Sequence, residues 1–340
     1  MKNAKFAAAA LAMLTLVGCG DGGNGNDSAA LNGAGASFPA PVYQAWSYAY
    51  SNTDGNPAVN YQSVGSGAGI SQLKAGTVDF AGTDDPLSAA AAAEAGLEQC
   101  PMLAGGVVVI VNLPGVPDGG LRLSRRVLAG MFLGNITRWS DPEIAADNPG
   151  MVLPDIPVSV VHRADASGTS SIFTDYLSKV SPEWSERVGS GPSVKWPVGV
   201  GGQKNPGVCN SVARIRGAVG YTEYTYAAEA GLNMAMLETH DGEFVKPTVE
   251  AFSAAVAAAD WLNAPGFAVM PNDLPGAGVW PITGVTYIVF SKAAPPEKRS
   301  GMIDYFRWCM TDGGTAAAEL NYVPLPPAVA ETVMTGVLNK

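Results

Sequence analysis

The stretch VSVVHRADASGTSSIFTDYL, residues 158–177, contains the patterns of a buried strand, a polar turn and the start of a helix. The β-branched residues at 158–161 predict the strand. Ser167 is a favoured helix-capping residue, and the apolar residues from Ile172 to Leu177 recur at helical spacing. The stretch therefore predicts a strand followed by a helix, with polar side chains gathered in the turn between them.

The same pattern recurs along the chain and predicts an α/β fold. Helices are expected after Ser37, Ser66 and Ser88, with Ser as a helix cap in each case and Gly96 ending the third helix. A short strand is expected at 77–80, and buried strands at 107–111 and 287–290. Strands that alternate with helices are typical of α/β architecture.

Composition and charge exclude several classes of protein. A chain of 340 residues, 47% of them hydrophobic, is long enough for roughly two domains with sizeable cores. Glycine and proline, at 41 and 25 residues, stay below the fraction typical of low-complexity chains. The net charge of -10 argues against a general nucleic-acid binder, which needs a basic surface.

The first thirty residues resemble the leader and tether of a bacterial lipoprotein. Two lysines precede an apolar run at 6–17, which is too short to span a bilayer as a helix, and Leu16-Val17-Gly18-Cys19 follows. This resemblance implies removal of residues 1–18 and a membrane anchor through lipid at Cys19. The Gly- and Asn-rich residues 19–30 predict a flexible tether. An ordinary signal peptide with a chance cysteine is the alternative.

The remaining cysteines and the histidines give no sign of a metal or a cofactor. Cys100, Cys209 and Cys309 contain no CxxC pair, and either one disulfide or three reduced thiols fits their number. His162 and His240, the two histidines, are too far apart for an HExxH motif. We therefore expect neither a metal site nor a cofactor.

Three helix starts combine a hydroxyl with glycine, which suits an anion. The first amides of a helix lack internal partners and carry partial positive charge, and glycine lets a ligand approach the backbone. Arg163, just before Ser167-Gly168-Thr169, can clamp an oxyanion with two hydrogen bonds. The alternative at each start is that Ser and Gly only cap the helix.

Motifs of common enzymes are missing from the sequence. It contains neither a phosphate-binding GxxxxGK[ST] loop nor the GxSxG motif of a hydrolase. Asp84-Asp85 could imitate a catalytic carboxylate pair, but adjacent residues in an extended loop point in opposite directions. The sequence therefore favours a binding protein over an enzyme.

A series of motifs is similar to the periplasmic phosphate-binding proteins of Pst ABC importers, in the order found in that family. The match extends over about residues 31–330 and includes 33–43 (GAGASFPAPVY), 61–62 with 65–69 (GSGAG), 78–88 (VDFAGTDDPLS), 105–108 (GGVV), 163–170 (RADASGTS), 195–197 (KWP) with 201–202, 217–224 (GAVGYTEY) and 280–283 (WPIT).

The resemblance implies a two-lobed periplasmic-binding-protein fold of type II, also called a Venus flytrap, with the ligand in the cleft between the lobes. The chain would cross between lobes near Gly105-Gly106 and near Trp280-Pro281. The first lobe would comprise residues 31–106 and 280–340, and the second lobe residues 107–279.

The resemblance also assigns phosphate contacts, residue by residue. In the first lobe they are Ser37, Phe38 through its amide, Ser66 and Asp84; in the second lobe they are Arg163, Ser167, Gly168 through its amide, and Thr169. Asp165 would pair with Arg163 and hold the guanidinium in place. The family often has Thr at position 37, Ser at 67, a basic residue at 162 and Gly at 166, where this chain has Ser37, Gly67, His162 and Ala166.

The expected function is therefore binding of inorganic phosphate, as HPO₄²⁻ or H₂PO₄⁻, by an extracytoplasmic monomer that delivers it to the transmembrane permease subunits of an ABC importer. Asp84 would accept the hydrogen bond of a protonated phosphate oxygen, which sulfate lacks. The alternatives are a receptor that prefers arsenate, a phosphomonoester hydrolase with Ser167 or Thr169 as nucleophile, and a cell-surface sensing or adhesion role.

Overall fold

A computed structural model describes residues 30–339. The strands in this range are β1 (Leu31–Gly35), β2 (Val59–Ser63), β3 (Phe80–Thr83), β4 (Leu97–Val111), β5 (Arg122–Leu123), β6 (Ser159–Arg163), β7 (Val200–Gly202), β8 (Ala218–Glu223), β9 (Asn233–Met234), β10 (Met236–Glu238), β11 (Phe244–Val245), β12 (Thr283–Ser291) and β13 (Val323–Pro324). The predicted leader, Cys19 and residues 20–29 of the predicted tether lie outside the described residues.

Helices surround these strands and connect them. They are α1 (Ala40–Ser51), α2 (Ser66–Lys74), α3 (Ala89–Glu94), α4 (Arg125–Leu133), α5 (Pro142–Asp147), α6 (Gly168–Val180), α7 (Pro182–Arg187), α8 (Lys204–Arg214), α9 (Tyr224–Glu229), α10 (Val249–Ala258), α11 (Pro296–Met310), α12 (Gly314–Glu319) and α13 (Pro327–Gly336), with a 3₁₀ turn at Pro265–Phe267. None of the helices within 30–339 has the length and apolar character needed to cross a bilayer.

The main sheet has the strand order β2-β1-β3-β12-β4-β8-β6-β7. Strand β1 runs parallel to β2 and β3, and β6 runs parallel to β7 and β8, whereas β12 and β4 are antiparallel to their neighbours. Short strands β13 and β9 pair with β4, and β11-β10-β5 form a separate small sheet. This mixture of parallel strands and helices confirms the predicted α/β class.

Strand β4 belongs to both halves of the main sheet. Its residues 97–106 pair with β12, and its residues 107–111 pair with β8. We call β2, β1, β3, β12 and residues 97–106 the first half, and residues 107–111 with β8, β6 and β7 the second half. The Val107 amide donates to the Ile282 carbonyl at 2.8 Å, so the chain at the second predicted crossing, near Trp280-Pro281, lies beside the chain at the first, near Gly105-Gly106. The lobe limits predicted above fall in this region and stay a prediction.

The predicted apolar strands lie in the core. Residues 107–111 and 287–290 are almost completely inaccessible to solvent, as their runs of β-branched and aromatic side chains indicated. Cys100, Cys209 and Cys309 are buried free thiols. Burial raises the pKa of the Cys100 thiol to about 12, so this thiol stays protonated at neutral pH.

The helix starts differ in how they use their serines. Ser88 and Ser167 are caps, accepting hydrogen bonds from the Ala91 and Ser170 amides at 3.1 Å. Ser37 and Ser66 are not caps, although the sequence predicted them as such: Pro39 and Gly65 occupy the cap positions, without a side-chain hydrogen bond. The two hydroxyls are therefore free of the role that usually explains serine at a helix start.

The short strand predicted at 77–80 is shifted. Only Phe80 of that segment belongs to β3, which continues to Thr83. Asp79 instead exchanges hydrogen bonds with the start of β1: its amide donates to the Asn32 carbonyl at 2.7 Å, and its carboxylate accepts from the Asn32 amide at 2.8 Å. This pairing with the backbone of β1 holds the segment before Phe80 in a bend.

Candidate functional site

The predicted site residues of the first half follow the ends of parallel strands. Ser37 follows β1, Ser66 follows β2, and Asp84 follows β3. Because parallel strands end at one edge of a sheet, the topology brings these three residues together. All three are buried polar residues. Ligands of open α/β sheets bind at such edges, so this one is a candidate binding site.

Phe38 presents its backbone to the same place while its ring is in the core. The Ser37 carbonyl accepts a hydrogen bond from the Tyr226 hydroxyl at 2.7 Å, and the Phe38 carbonyl accepts one from the Tyr322 hydroxyl at 2.7 Å. In a trans peptide the amide points away from the carbonyl, so Tyr226 fixes the direction of the Phe38 N–H. That amide meets no backbone acceptor within residues 30–339.

The second half contributes a guanidinium held by a carboxylate. Arg163, at the end of β6, donates from Nε to Asp165 Oδ1 at 2.9 Å and from Nη2 to Asp165 Oδ2 at 2.6 Å. Its side chain is 1% exposed. Burial alone would raise the pKa of Asp165, but the hydrogen bonds and charge of Arg163 lower it below the usual value. The pair therefore stays ionised, and the fork of Arg163 is fixed.

The remaining face of Arg163 points to two further polar side chains. Its Nη1 lies 3.2 Å from Asn205 Oδ1 and 3.4 Å from Thr169 Oγ1. Thr169 and Gly168 are in the first turn of α6, where amides lack intrahelical partners. The hydroxyl of Ser167 caps this helix, and the backbone amide of Ser167 donates to the Pro192 carbonyl at 2.9 Å. An anion at this turn would meet a positive dipole end and a cation together.

The two sets of residues are in direct contact. The Gly168 amide donates to Ser66 Oγ at 3.1 Å, the Asn205 amide donates to Ser37 Oγ at 3.3 Å, and the Gly67 amide donates to the Ala166 carbonyl at 3.2 Å. The predicted site residues are thus brought to one place, where the ends of β1, β2 and β3 meet the end of β6 and the start of α6.

Contact at Gly168 is close enough to exclude a side chain. A Cβ built on Gly168 would lie 2.6 Å from Asp84 Cβ and 2.7 Å from the Asp84 backbone nitrogen. At position 67, a Cβ would lie 2.6 Å from Ala166 Cβ. With alanine at 166, glycine is therefore the residue that fits at position 67.

Asp84 is the electrostatically unusual residue of this site. Its side chain is buried, and its Oδ1 has no hydrogen-bond partner among residues 30–339. Burial raises the pKa of Asp84 to about 7, with the Thr286 hydroxyl and the Arg163 charge acting in the opposite direction. The adjacent Asp85 has a separate partner, since it accepts from Ser171 Oγ at 2.6 Å. Asp84 can therefore share a proton with a ligand near neutral pH.

Within residues 30–339, neither Ser167 nor Thr169 has a hydrogen bond from its hydroxyl to a group that could act as its base. Ser167 Oγ is next to the Ser170 amide, and Thr169 Oγ1 is next to a guanidinium, which cannot act as a base. His162, the nearest histidine in sequence, stacks on Trp196 at 4.8 Å between ring centroids, and its Nδ1 is 3.0 Å from the Arg163 carbonyl. No histidine activates either hydroxyl in the part of the chain that the structure describes.

Several residues around the site were not identified from the sequence. Asn205, Tyr226 and Tyr322 bond to Arg163, Ser37 and Phe38, from 42, 189 and 284 positions away in the chain. The only available signal for Asn205 was its polar position at a helix start directly after the quoted Gly201-Gly202. For the two tyrosines the sequence contains no signal.

Comparison with known proteins identifies the family. A family model described as a PBP superfamily domain matches residues 22–312. The phosphate-binding protein PstS of Pasteurella multocida is 47% identical over 304 residues, covering 89% of this chain and 88% of the relative. PstS of Xylella fastidiosa strain Temecula1 is 45% identical over 307 residues, covering 90% and 84%. The chain belongs to the PstS family.

Solved structures agree with this assignment at the level of the fold. A high-affinity periplasmic phosphate-binding protein, PfluDING, solved with bound phosphate, superposes with a TM-score of 0.70 at 22% identity, covering 90% of this chain and 93% of that one. The expected two-lobed fold of periplasmic binding proteins is thereby confirmed for this PstS family member. Its named relatives are binding proteins, consistent with the motifs missing from the sequence.

Proposed function

We propose that this protein binds inorganic phosphate outside the cytoplasm and delivers it to the permease of an ABC importer. The observation that carries the proposal is the meeting of Arg163, the first turn of α6 and the buried carboxyl of Asp84 around one small polar site. The names of the PstS relatives support phosphate as the ligand and favour neither arsenate nor an ester substrate.

The proposed phosphate ligands are Ser37, Ser66, Asp84, Arg163, Ser167 and Thr169 through their side chains, and Phe38 and Gly168 through their amides. Donors supplied by both halves of the sheet support this assignment, because an oxyanion needs many donors and a fixed cation. Asp84 would accept a hydrogen bond from the proton that HPO₄²⁻ carries, and its buried Oδ1, which has no partner among residues 30–339, supports this role.

The proposed lobes are residues 31–106 with 280–340, and residues 107–279. The change in the partner of β4 at Gly106 and Val107 supports this division. Because the contacts come from both lobes, phosphate would favour the closed state. We further propose that the protein is a monomer anchored by lipid at Cys19, as the lipobox-like sequence before that residue suggests.

Calorimetric titration with phosphate, arsenate and sulfate tests the ligand. We expect phosphate to bind and sulfate to give no heat of binding. Arg163→Ala should weaken phosphate binding by more than tenfold, because it removes a charge-assisted clamp. Arg138→Ala is the control, since Arg138 forms a half-exposed ion pair with Asp155 away from the site. Absence of phosphate binding by the unaltered protein would refute the proposal.

Incubation with a chromogenic phosphomonoester tests whether the protein is also a hydrolase. We expect no turnover, because no base is hydrogen-bonded to the hydroxyl of Ser167 or Thr169 in residues 30–339. Turnover that disappears in Thr169→Val or Ser167→Ala would instead establish the enzyme.

A further inference from the structure

Asn205 is a buried polar residue at the site for which the sequence predicted no role. Its exposed fraction is 0%, and it lies in the first turn of α8. Its Nδ2 atom is buried without a hydrogen-bond partner among residues 30–339. A buried donor without an acceptor destabilises the folded state, so an amide retained in this state calls for an explanation.

The orientation of this amide is determined by its neighbour. The atom of Asn205 that faces Arg163 Nη1 at 3.2 Å must be Oδ1, because a guanidinium can only donate. Rotating the amide by 180° would place two donors against each other. Nδ2 is therefore the atom left unpaired, and it cannot exchange places with Oδ1.

Asn205 lies among residues proposed to hold the anion. Its backbone amide donates to Ser37 Oγ at 3.3 Å, and Arg163 Nη1 lies within hydrogen-bond distance of both Asn205 Oδ1 and Thr169 Oγ1. Ser37, Arg163 and Thr169 are three of the proposed phosphate ligands. A partner that satisfies Nδ2 in this position must be an acceptor, and an oxyanion held by those three residues presents one.

The backbone before Asn205 is held in an uncommon conformation. Lys204 has a φ of 57°, in the left-handed region that non-glycine residues rarely adopt. Its amide donates to Asp165 Oδ1 at 3.0 Å, the same oxygen that accepts from Arg163 Nε. Such strain persists where surrounding contacts determine it, and here those contacts connect α8 to the Arg163–Asp165 pair.

We propose that Asn205 is a further anion-binding residue, whose Nδ2 donates a hydrogen bond to the bound phosphate while its Oδ1 supports Arg163. The inference rests on the proposed phosphate binding. It adds a donor from α8 to those from α6, from the end of β6 and from the ends of β1 and β2, and to the acceptor at the end of β3.

Two substitutions separate the donor role from the support of Arg163. Asn205→Ala removes both groups and should raise the Kd for phosphate by about 10- to 150-fold, the loss expected for a hydrogen bond to a charged group. Asn205→Asp keeps an acceptor for Arg163 but replaces the donor with a carboxylate. The charge of Arg163 keeps this carboxylate ionised, and the carboxylate repels the anion, so Asn205→Asp should bind phosphate more weakly than Asn205→Ala.

The matched control is Asn148→Ala. Asn148 is a buried asparagine whose amide bonds to Arg122 and Ile144, away from the site, so its loss should lower the melting temperature and leave the Kd unchanged. Calorimetric titration with inorganic phosphate at pH 8 measures each Kd. If Asn205→Ala binds within twofold of the unaltered protein, or Asn205→Asp binds at least as tightly as Asn205→Ala, the inference is wrong while phosphate binding stands. If the unaltered protein does not bind phosphate, the proposed function fails as well.

Discussion

Gly168→Ala tests whether the contact across the cleft controls binding. The substitution keeps the Gly168 amide and adds one methyl group, which would lie 2.6 Å from Asp84 Cβ and 2.7 Å from the Asp84 backbone nitrogen. Because the backbone cannot move aside as a side-chain tip can, the closed arrangement must open slightly. Overpacking of this kind costs about 1–3 kcal/mol, so the Kd for phosphate should rise roughly 5- to 150-fold.

The same substitution should not destabilise the phosphate-free protein. Gly168 is the first residue of α6, and alanine in a helix is more stable than glycine by about 0.5–1 kcal/mol. When the lobes are apart, the added methyl group meets no steric conflict with Asp84. We therefore expect an equal or higher melting temperature without phosphate, together with weaker binding.

Gly314→Ala is the matched control, since Gly314 is also the first residue of a helix, α12, and a Cβ there would meet nothing within 4 Å. Its Kd should equal that of the unaltered protein. Calorimetry gives the affinities, and thermal unfolding without phosphate gives the stabilities. Unchanged phosphate affinity in Gly168→Ala would refute the reasoning, because it would show that Gly168 and Asp84 do not approach each other when phosphate is bound.

Three further predictions concern charge and anchoring. Asp84→Asn should allow sulfate to compete with phosphate, because sites that accept a hydrogen bond from a ligand's hydroxyl reject analogues without that hydroxyl by a factor of roughly 10⁴–10⁵. Competition of sulfate against radiolabelled phosphate measures this selectivity. Equal exclusion of sulfate by both proteins would contradict the prediction. Burial raises the pKa of Glu223 from 4.5 to about 8, so between these pH values the folded state binds a proton that the unfolded state has lost, and the free energy of unfolding falls as the pH rises. In Glu223→Gln, denaturant unfolding between pH 5 and pH 8 should show a smaller decrease in this free energy. An identical decrease in both proteins would exclude Glu223 as its source. Mass spectrometry should find lipid on the mature Cys19 terminus, and Cys19→Ala should release the protein from membranes or block removal of the leader; an unmodified terminus in the unaltered protein would exclude the anchor.

Local motifs were enough to predict most of the candidate site. Arg163, Asp165 and the first turn of α6 are neighbours in sequence, so one strand-to-helix unit determines their arrangement. The ends of β1, β2 and β3 meet because the strands are parallel, which the alternation of strands and helices already indicated. The fold class followed from the same alternation.

The contacts that complete the site could not be predicted in this way. Tyr226 and Tyr322 reach the Ser37 and Phe38 carbonyls from far along the chain, and only the tertiary structure places them there. The sequence pattern also could not locate the cap to the residue: Ser66 is the first residue of α2, and Ser37 lies two residues before the cap of α1, although both were expected to be caps. The position of the cap depends on backbone angles at Pro39 and Gly65.

The shared strand β4 has a consequence for how the molecule unfolds. Its fifteen residues supply hydrogen-bond partners to β12 on one side of Gly106 and to β8 on the other. If either half melted alone, the intact half would keep a strand whose continuation had become disordered, and the apolar residues at 107–111 or 287–290 would be exposed to water. The two halves are therefore expected to lose structure together, as one cooperative unit, even though the proposed opening of the cleft would move them apart as separate bodies.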